Sequence, residues 1–133
     1  MRGTKPQLVV DNAPVGTTPD GSIPAAPEYF GEHARAEWQR IMPLIIERGV
    51  INDADMGSVE NYCIAQGTVR EFQAAMAKAL GPDTKAKHFR SMNQAMQTAR
   101  QLAAELGLTP VSRARPPKKP RPGAEGENPL DIS

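Results

Sequence analysis

The sequence predicts an all-α protein: a kinked N-terminal helix, then a long antiparallel helical hairpin, with flexible proline-rich arms at both ends. Three observations predict it. Apolar residues recur at helical and then heptad spacing through the middle of the 133-residue chain. Prolines avoid that middle: Pro6, Pro14, Pro19, Pro24 and Pro27 come before it, Pro110, Pro116, Pro117, Pro120, Pro122 and Pro129 after it, and only Pro43 and Pro82 lie between. Gly107 closes the last apolar stripe, and the cations Arg113, Arg115, Lys118, Lys119 and Arg121 follow with no acid among them. The arms are therefore placed at 1–27 and 116–133 and the helical core at 28–115.

Each element has a local reason. Tyr29-Phe30 precedes the first helix and can staple its start. That helix is expected from about Glu32 to Arg48, with Trp38, Ile41, Met42 and Ile45 at i, i+3, i+4 and i+7. Pro43 inside it predicts a kink or a break into two pieces. Gly49 ends it, and Val50-Ile51 is an apolar link. Asn52 is suited to cap the next helix, with Asp53 and Asp55 opposing its positive end. This second helix is expected from about Asp53 to Leu80, ~42 Å if unbroken. Tyr62, Val69 and Met76 share one heptad position, and Ala65, Phe72 and Ala79 share the other. Gly57 and Gly67 weaken it by about 1 kcal/mol each against alanine, a cost that close approach of another helix would explain. Gly81-Pro82 ends it, and Asp83–Ala86 is the expected turn. The third helix is expected from about Lys87 to Leu106, ~30 Å long. Its stripe alternates Phe89, Met96 and Ala103 with Met92, Ala99 and Leu106. Gly107 supplies the left-handed residue that stops it. Thr109-Pro110 then suit the cap and first position of a further helical turn.

A core of this size buries a modest share of its surface, which favours association of copies. Ala95 and Leu102 widen the stripe of the third helix, and Ile64 lies off the stripe of the second. Together the stripes carry more apolar surface than one hairpin seam uses. A contact between copies is therefore expected on Tyr62, Val69, Phe72, Met76, Phe89, Met92, Met96 and Leu106. Trp38, Tyr62, Phe72 and Phe89 are read as core aromatics, not as a base-stacking platform.

Several function classes are excluded by what the sequence holds. Cys63 is the single cysteine, so no intrachain disulfide forms, which suits a reducing cytosol. The N-terminal apolar run Leu8-Val9-Val10 is too short for a signal peptide, and no segment is long enough to span a bilayer. Cys63, His33 and His88 match no zinc spacing. Neither a Gly-x-Ser-x-Gly elbow nor a phosphate loop is present, and Asp53 and Asp55 read as helix-start charges. The chain is expected to be no enzyme and to need no metal or cofactor.

The net charge is only +1, but it is unevenly spread. Lys85, Lys87 and Arg90 gather at the start of the third helix, where cations oppose the positive end of the dipole; that mildly unfavourable placement suggests a use. The run from Arg113 to Arg121 forms a cationic arm able to neutralise several phosphates. Arg2-Gly3-Thr4-Lys5-Pro6 and Lys119-Pro120-Arg121-Pro122-Gly123 set cations beside Gly or Pro, as minor-groove hooks do, without the full Arg-Gly-Arg-Pro core. Arg2, Lys5, Lys85, Lys87, Arg90, Arg113, Arg115, Lys118, Lys119 and Arg121 are thus the candidate DNA contacts, made mostly with phosphates.

The order of these features resembles a known family. The basic Met1–Pro6 start and proline-rich lead are followed by Ala34-Arg35-Ala36-Glu37-Trp38, Pro43-Leu44 and the Gly49-Val50-Ile51 corner. Asp55 comes next, then Tyr62-Cys63, and Leu106-Gly107-Leu108-Thr109-Pro110-x-Ser112-Arg113-Ala114-Arg115 closes the match. In this order they resemble the small subunits of phage terminases. Two departures are Thr4, where a second Arg is common, and Gly31, where a Ser or Asp cap is expected. The resemblance implies a ring-forming, non-catalytic subunit that binds the packaging-start region of double-stranded viral DNA. It also implies recruitment and regulation of the large subunit, which holds the ATPase and nuclease. The expected setting is the cytoplasm of the infected bacterial host, outside the mature virion. The alternative from residues alone is a helical-hairpin adaptor that binds protein and no DNA.

Overall fold

A computed structural model of the chain describes residues 13–110. Three helices carry the fold: α1 (Glu32–Arg48), α2 (Met56–Lys78) and α3 (Pro82–Glu105), with a single 3₁₀ turn (Asp53–Asp55) leading into α2. Helix α2 is the central element, packed against α1 on one side and α3 on another. The all-α class and the hairpin are as the sequence predicts.

Helix α1 starts at Gly31, which offers no side-chain cap, and continues through Pro43 as one helix. Pro43 has no N–H to donate to the Gln39 carbonyl. It lies exposed, so that carbonyl can turn to water. The opposite face of α1 is the core: Ala34, Trp38, Ile41, Met42 and Ile45 are buried. Phe30 sits edge-on to Trp38, ring centroids 5.8 Å apart, and closes this face at its start. Each large apolar side chain so buried contributes about 1.5–3 kcal/mol. Ile51, Val59, Tyr62, Cys63 and Ala65, with Ala99 and Leu106 from α3, complete the cluster.

The corner is made by capping chemistry. Gly49 is left-handed (φ 64°), and its N–H reaches the Ile45 carbonyl at 3.1 Å. Asn52 and Asp55 form a reciprocal box: Asn52 Oδ1 accepts from the Ala54 N–H at 3.0 Å, and the Asn52 N–H donates to Asp55 Oδ2 at 3.1 Å.

The tip of the hairpin differs from expectation. Helix α3 begins at Pro82, not near Lys87, and the connection is only Ala79–Gly81. Gly81 takes φ 90°, and Pro82 occupies the first helical turn, where its missing N–H would have had no partner. The pair stops one helix and starts the next. The far end of α3 closes in a Schellman turn: the Gly107 N–H (φ 73°) reaches the Ala104 carbonyl at 3.1 Å, and the Leu108 N–H reaches Ala103 at 2.8 Å. The Arg48 guanidinium donates to the Gly107 carbonyl and ties this turn to the end of α1.

The lead segment 13–27, assigned by sequence to an extended arm, lies against the helices. The Val15 N–H donates to the Ile51 carbonyl at 2.7 Å, within an antiparallel bridge between Pro14 and Asn52. The Trp38 indole N–H donates to the Pro24 carbonyl at 2.8 Å. Val15, Ile23 and Ala26 pack partly buried on the core.

Candidate functional site

Helix α1 runs antiparallel to α2 from Gly31, beside Glu71, to the corner, and Ala34 lies on Gly67. The last turns of α2 and the first turns of α3 therefore project beyond α1 as a two-helix prong. Lys85, Lys87 and Arg90 are all exposed on that prong. They do not share a face: at about 100° per residue Lys87 and Arg90 lie about 60° apart, with Lys85 about 140–160° from both. Arg2, Lys5, Arg113, Arg115, Lys118, Lys119 and Arg121 lie outside the described residues.

The residues expected between copies divide into two groups. Tyr62, Val69, Met92 and Leu106 are buried within the chain itself, because the hairpin seam and the core consume them. Phe72 and Met76 are half-buried, Phe72 against the His88 ring. Phe89 and Met96 remain exposed, at 50% and 39%. Phe89 and Met96 thus keep part of the expected set accessible, and further accessible apolar surface lies beside the stripe.

Part of it lines an open groove of about 490 Å³ between α2 and α3, with no contribution from α1. Asn61, Ile64 and Thr68 form one wall, and Ala95, Thr98 and Leu102 form the other. Ile64 is 40% exposed there. Ile64, Ala95 and Leu102 are the residues that fall off the narrow stripes in sequence.

A second groove, about 330 Å³, opens on another side of the hairpin, between Tyr62, Gln66, Val69 and Arg70 of α2 and Met96, Ala99 and Arg100 of α3. Tyr62 links this groove to the ion pair of α1. Arg40 donates to both Glu37 oxygens, at 2.8 and 2.5 Å, and the Tyr62 hydroxyl donates to Glu37 Oε2 at 2.6 Å. Burial pushes the Glu37 carboxyl up. The hydrogen bonds from Arg40 and Tyr62, and the charges of Arg40 and Arg70, more than reverse this and hold it below the usual carboxylate value. Burial and the same carboxylate push the Tyr62 phenol up to about 12, so it stays a donor.

A carboxylate with a lowered pKa contributes stability that is complete above its unfolded value and is lost as pH falls through the folded value. Urea midpoints should therefore drop on acidification below about pH 4.5 in the native chain and drop less in Glu37→Gln. Tyr62→Phe should cost about 1–2 kcal/mol at neutral pH, since it removes a buried donor from a charge. Equal acid sensitivity of Glu37→Gln and the native chain would take Glu37 out of this transition.

Cys63 is fully buried, and burial pushes its thiol up to about 12, which leaves it protonated and unreactive at neutral pH. Among the described residues, no three His, Cys, Asp or Glu side chains come together as a metal site, and no helix is long and apolar enough to cross a membrane.

The family model for the phage terminase small subunit matches residues 34–122, from the first turn of α1 through α3 and into the cationic run. No curated protein and no solved structure matches the chain. With α2, α3 and nearly all of α1 inside one family match that spans well over half of the sequence, the chain belongs to the phage terminase small subunit family.

Proposed function

We propose that this protein is the non-catalytic DNA-recognition and regulatory component of a phage genome packaging motor. It assembles with copies of itself, engages the packaging-start region of viral DNA in the host cytoplasm, and recruits the large ATPase-nuclease subunit. Family membership supports the terminase role. The observation that carries self-assembly is the uncharged open side of the hairpin. The groove around Ile64 has no charged lining residue, in a chain that is 23% charged. Beside it, the α3 stretch from Ser91 to Ala99 contains no ionisable side chain, although Asn93, Gln94, Met96, Gln97 and Thr98 are exposed. A solvated helix face normally carries charges. A face that carries none loses no ion hydration when a second copy covers it. In a ring this face meets a different patch of the next copy, a heterologous contact that closes on itself.

Native mass by light scattering, with and without a DNA fragment from the packaging-start region, tests the reading. The expected result is an assembly of several subunits whose mass shifts with DNA. A monomer or dimer indifferent to DNA favours the protein-only adaptor. Ile64→Asp places a charge on the open face at a partly exposed position; it should leave a folded monomer, because the charge stays hydrated until a copy covers it. An Ile64→Asp chain that assembles like the native one would move the contact to another face.

A further inference from the structure

We infer that the groove between Tyr62 and Ala99 is a seat for the phosphate backbone of duplex DNA, held by Arg70 and Arg100. The inference rests on the DNA-binding reading above and adds a contact site in the folded body, apart from the terminal arms.

Arg70 stands on the α2 wall of this groove and Arg100 on the α3 wall, and no lining residue is acidic. The carboxylate that Tyr62 contacts, Glu37, is already committed: its two oxygens accept from Arg40 and Tyr62. Arg40–Glu37 is the one ion pair among the described residues. Arg70 acts on Glu37 only through its charge and forms no ion pair with it; it donates one N–H to Gln73 Oε1 at 3.0 Å, which leaves its other donors open. Arg100 makes no hydrogen bond or ion pair with any described residue. Two guanidiniums thus line one open groove, and neither is engaged in an ion pair.

Arginine presents a planar fork of donors that matches phosphate oxygens in pairs. The groove floor is apolar, made by Val69 and Ala99, and offers no competing acceptor side chain. Such contacts position a duplex and are indifferent to its sequence. Both residues stand on paired helices, one on each wall, so a single bound strand can meet both side chains.

The test uses the full chain, a random-sequence DNA duplex and a salt series. In Arg70→Gln/Arg100→Gln the slope of log affinity against log salt should fall by about 1.8, about 0.9 for each phosphate no longer neutralised. The Lys/Lys double variant should retain most of the slope, and native mass and thermal midpoint should stay unchanged, since both side chains are exposed. A glutamine variant that keeps the native slope overturns the inference while leaving DNA binding by the arms intact. Loss of inorganic-phosphate binding without any change toward duplex also overturns it, as the groove would then hold a free anion. A native chain that leaves the duplex unbound overturns the DNA reading itself, and the groove with it.

Discussion

Gly67→Ala should destabilise the protein, and Gly57→Ala, ten residues earlier on the same helix, should stabilise it. A Cβ built on Gly67 would lie 2.8 Å from the Ala34 nitrogen, 3.1 Å from its Cα and 3.2 Å from its Cβ. The obstacle is backbone, so no side chain can swing away; α1 as a whole must lift off α2. Overpacking of this kind costs about 1–3 kcal/mol, and alanine recovers only about 1 kcal/mol of helix propensity. The contact falls under 3.0 Å, which puts the cost toward the upper end and the net loss at about 1–2 kcal/mol. Gly67→Leu, with more atoms in the same gap, should prevent α1 from docking. At Gly57 nothing lies within 4 Å. Gly57 stands in the first turn of α2, so alanine there gains only part of the about 1 kcal/mol of a helix interior and raises the thermal midpoint by less than about 4–8 °C. Melting curves of the single variants decide the matter. If both raise the midpoint, α1 approaches α2 less closely at Ala34 than these distances require.

Neutralising Arg113, Arg115, Lys118, Lys119 and Arg121 together should have the largest effect on DNA affinity. Five cations that each displace one condensed counterion contribute about 4.5 to the slope of log affinity against log salt. Their removal should weaken binding most at low salt and leave a shallow residual dependence from the folded body. Fluorescence anisotropy with a labelled duplex across a salt series reads the slope directly. The native slope in the neutralised chain would remove the arm from the mechanism. The arm and the Arg70–Arg100 groove then become separable, because each subtracts its own share of the slope.

Much of the fold is legible in sequence because it is local chemistry. Gly49, Gly107 and the Asn52–Asp55 box mark their turns through caps that involve neighbours only. The heptad positions of Val69 and Met92 identify the hairpin seam. Pro82 is readable as a stop or as a first helical residue; the positive φ of Gly81 decides for both. What sequence reasoning misses is contact across distance. Glu37 and Tyr62 lie 25 residues apart, and no local pattern joins them. The same holds for Trp38 with Pro24 and for Gly67 with Ala34, although a glycine in a helix pattern is a visible flag. Among site residues, the cationic runs stand out as runs. Arg70 and Arg100 are solitary in sequence, and only the antiparallel pairing of α2 with α3 brings them to one groove.

The clasp of Arg48 on Gly107 sets the geography of the whole molecule. It holds Thr109 and Pro110 at the α1–α2 corner, and the Pro14–Asn52 bridge holds the opposite end of the described chain at that same corner. The described chain therefore begins and ends at one pole, while Lys85, Lys87 and Arg90 occupy the other, up to about 30 Å away along α3. Arg70 and Arg100 stand between the poles. A duplex that ran from one pole past Arg70 and Arg100 to the other would lie lengthwise on the hairpin for roughly nine base pairs, at about 3.4 Å each, nearly one full helical turn of DNA per subunit.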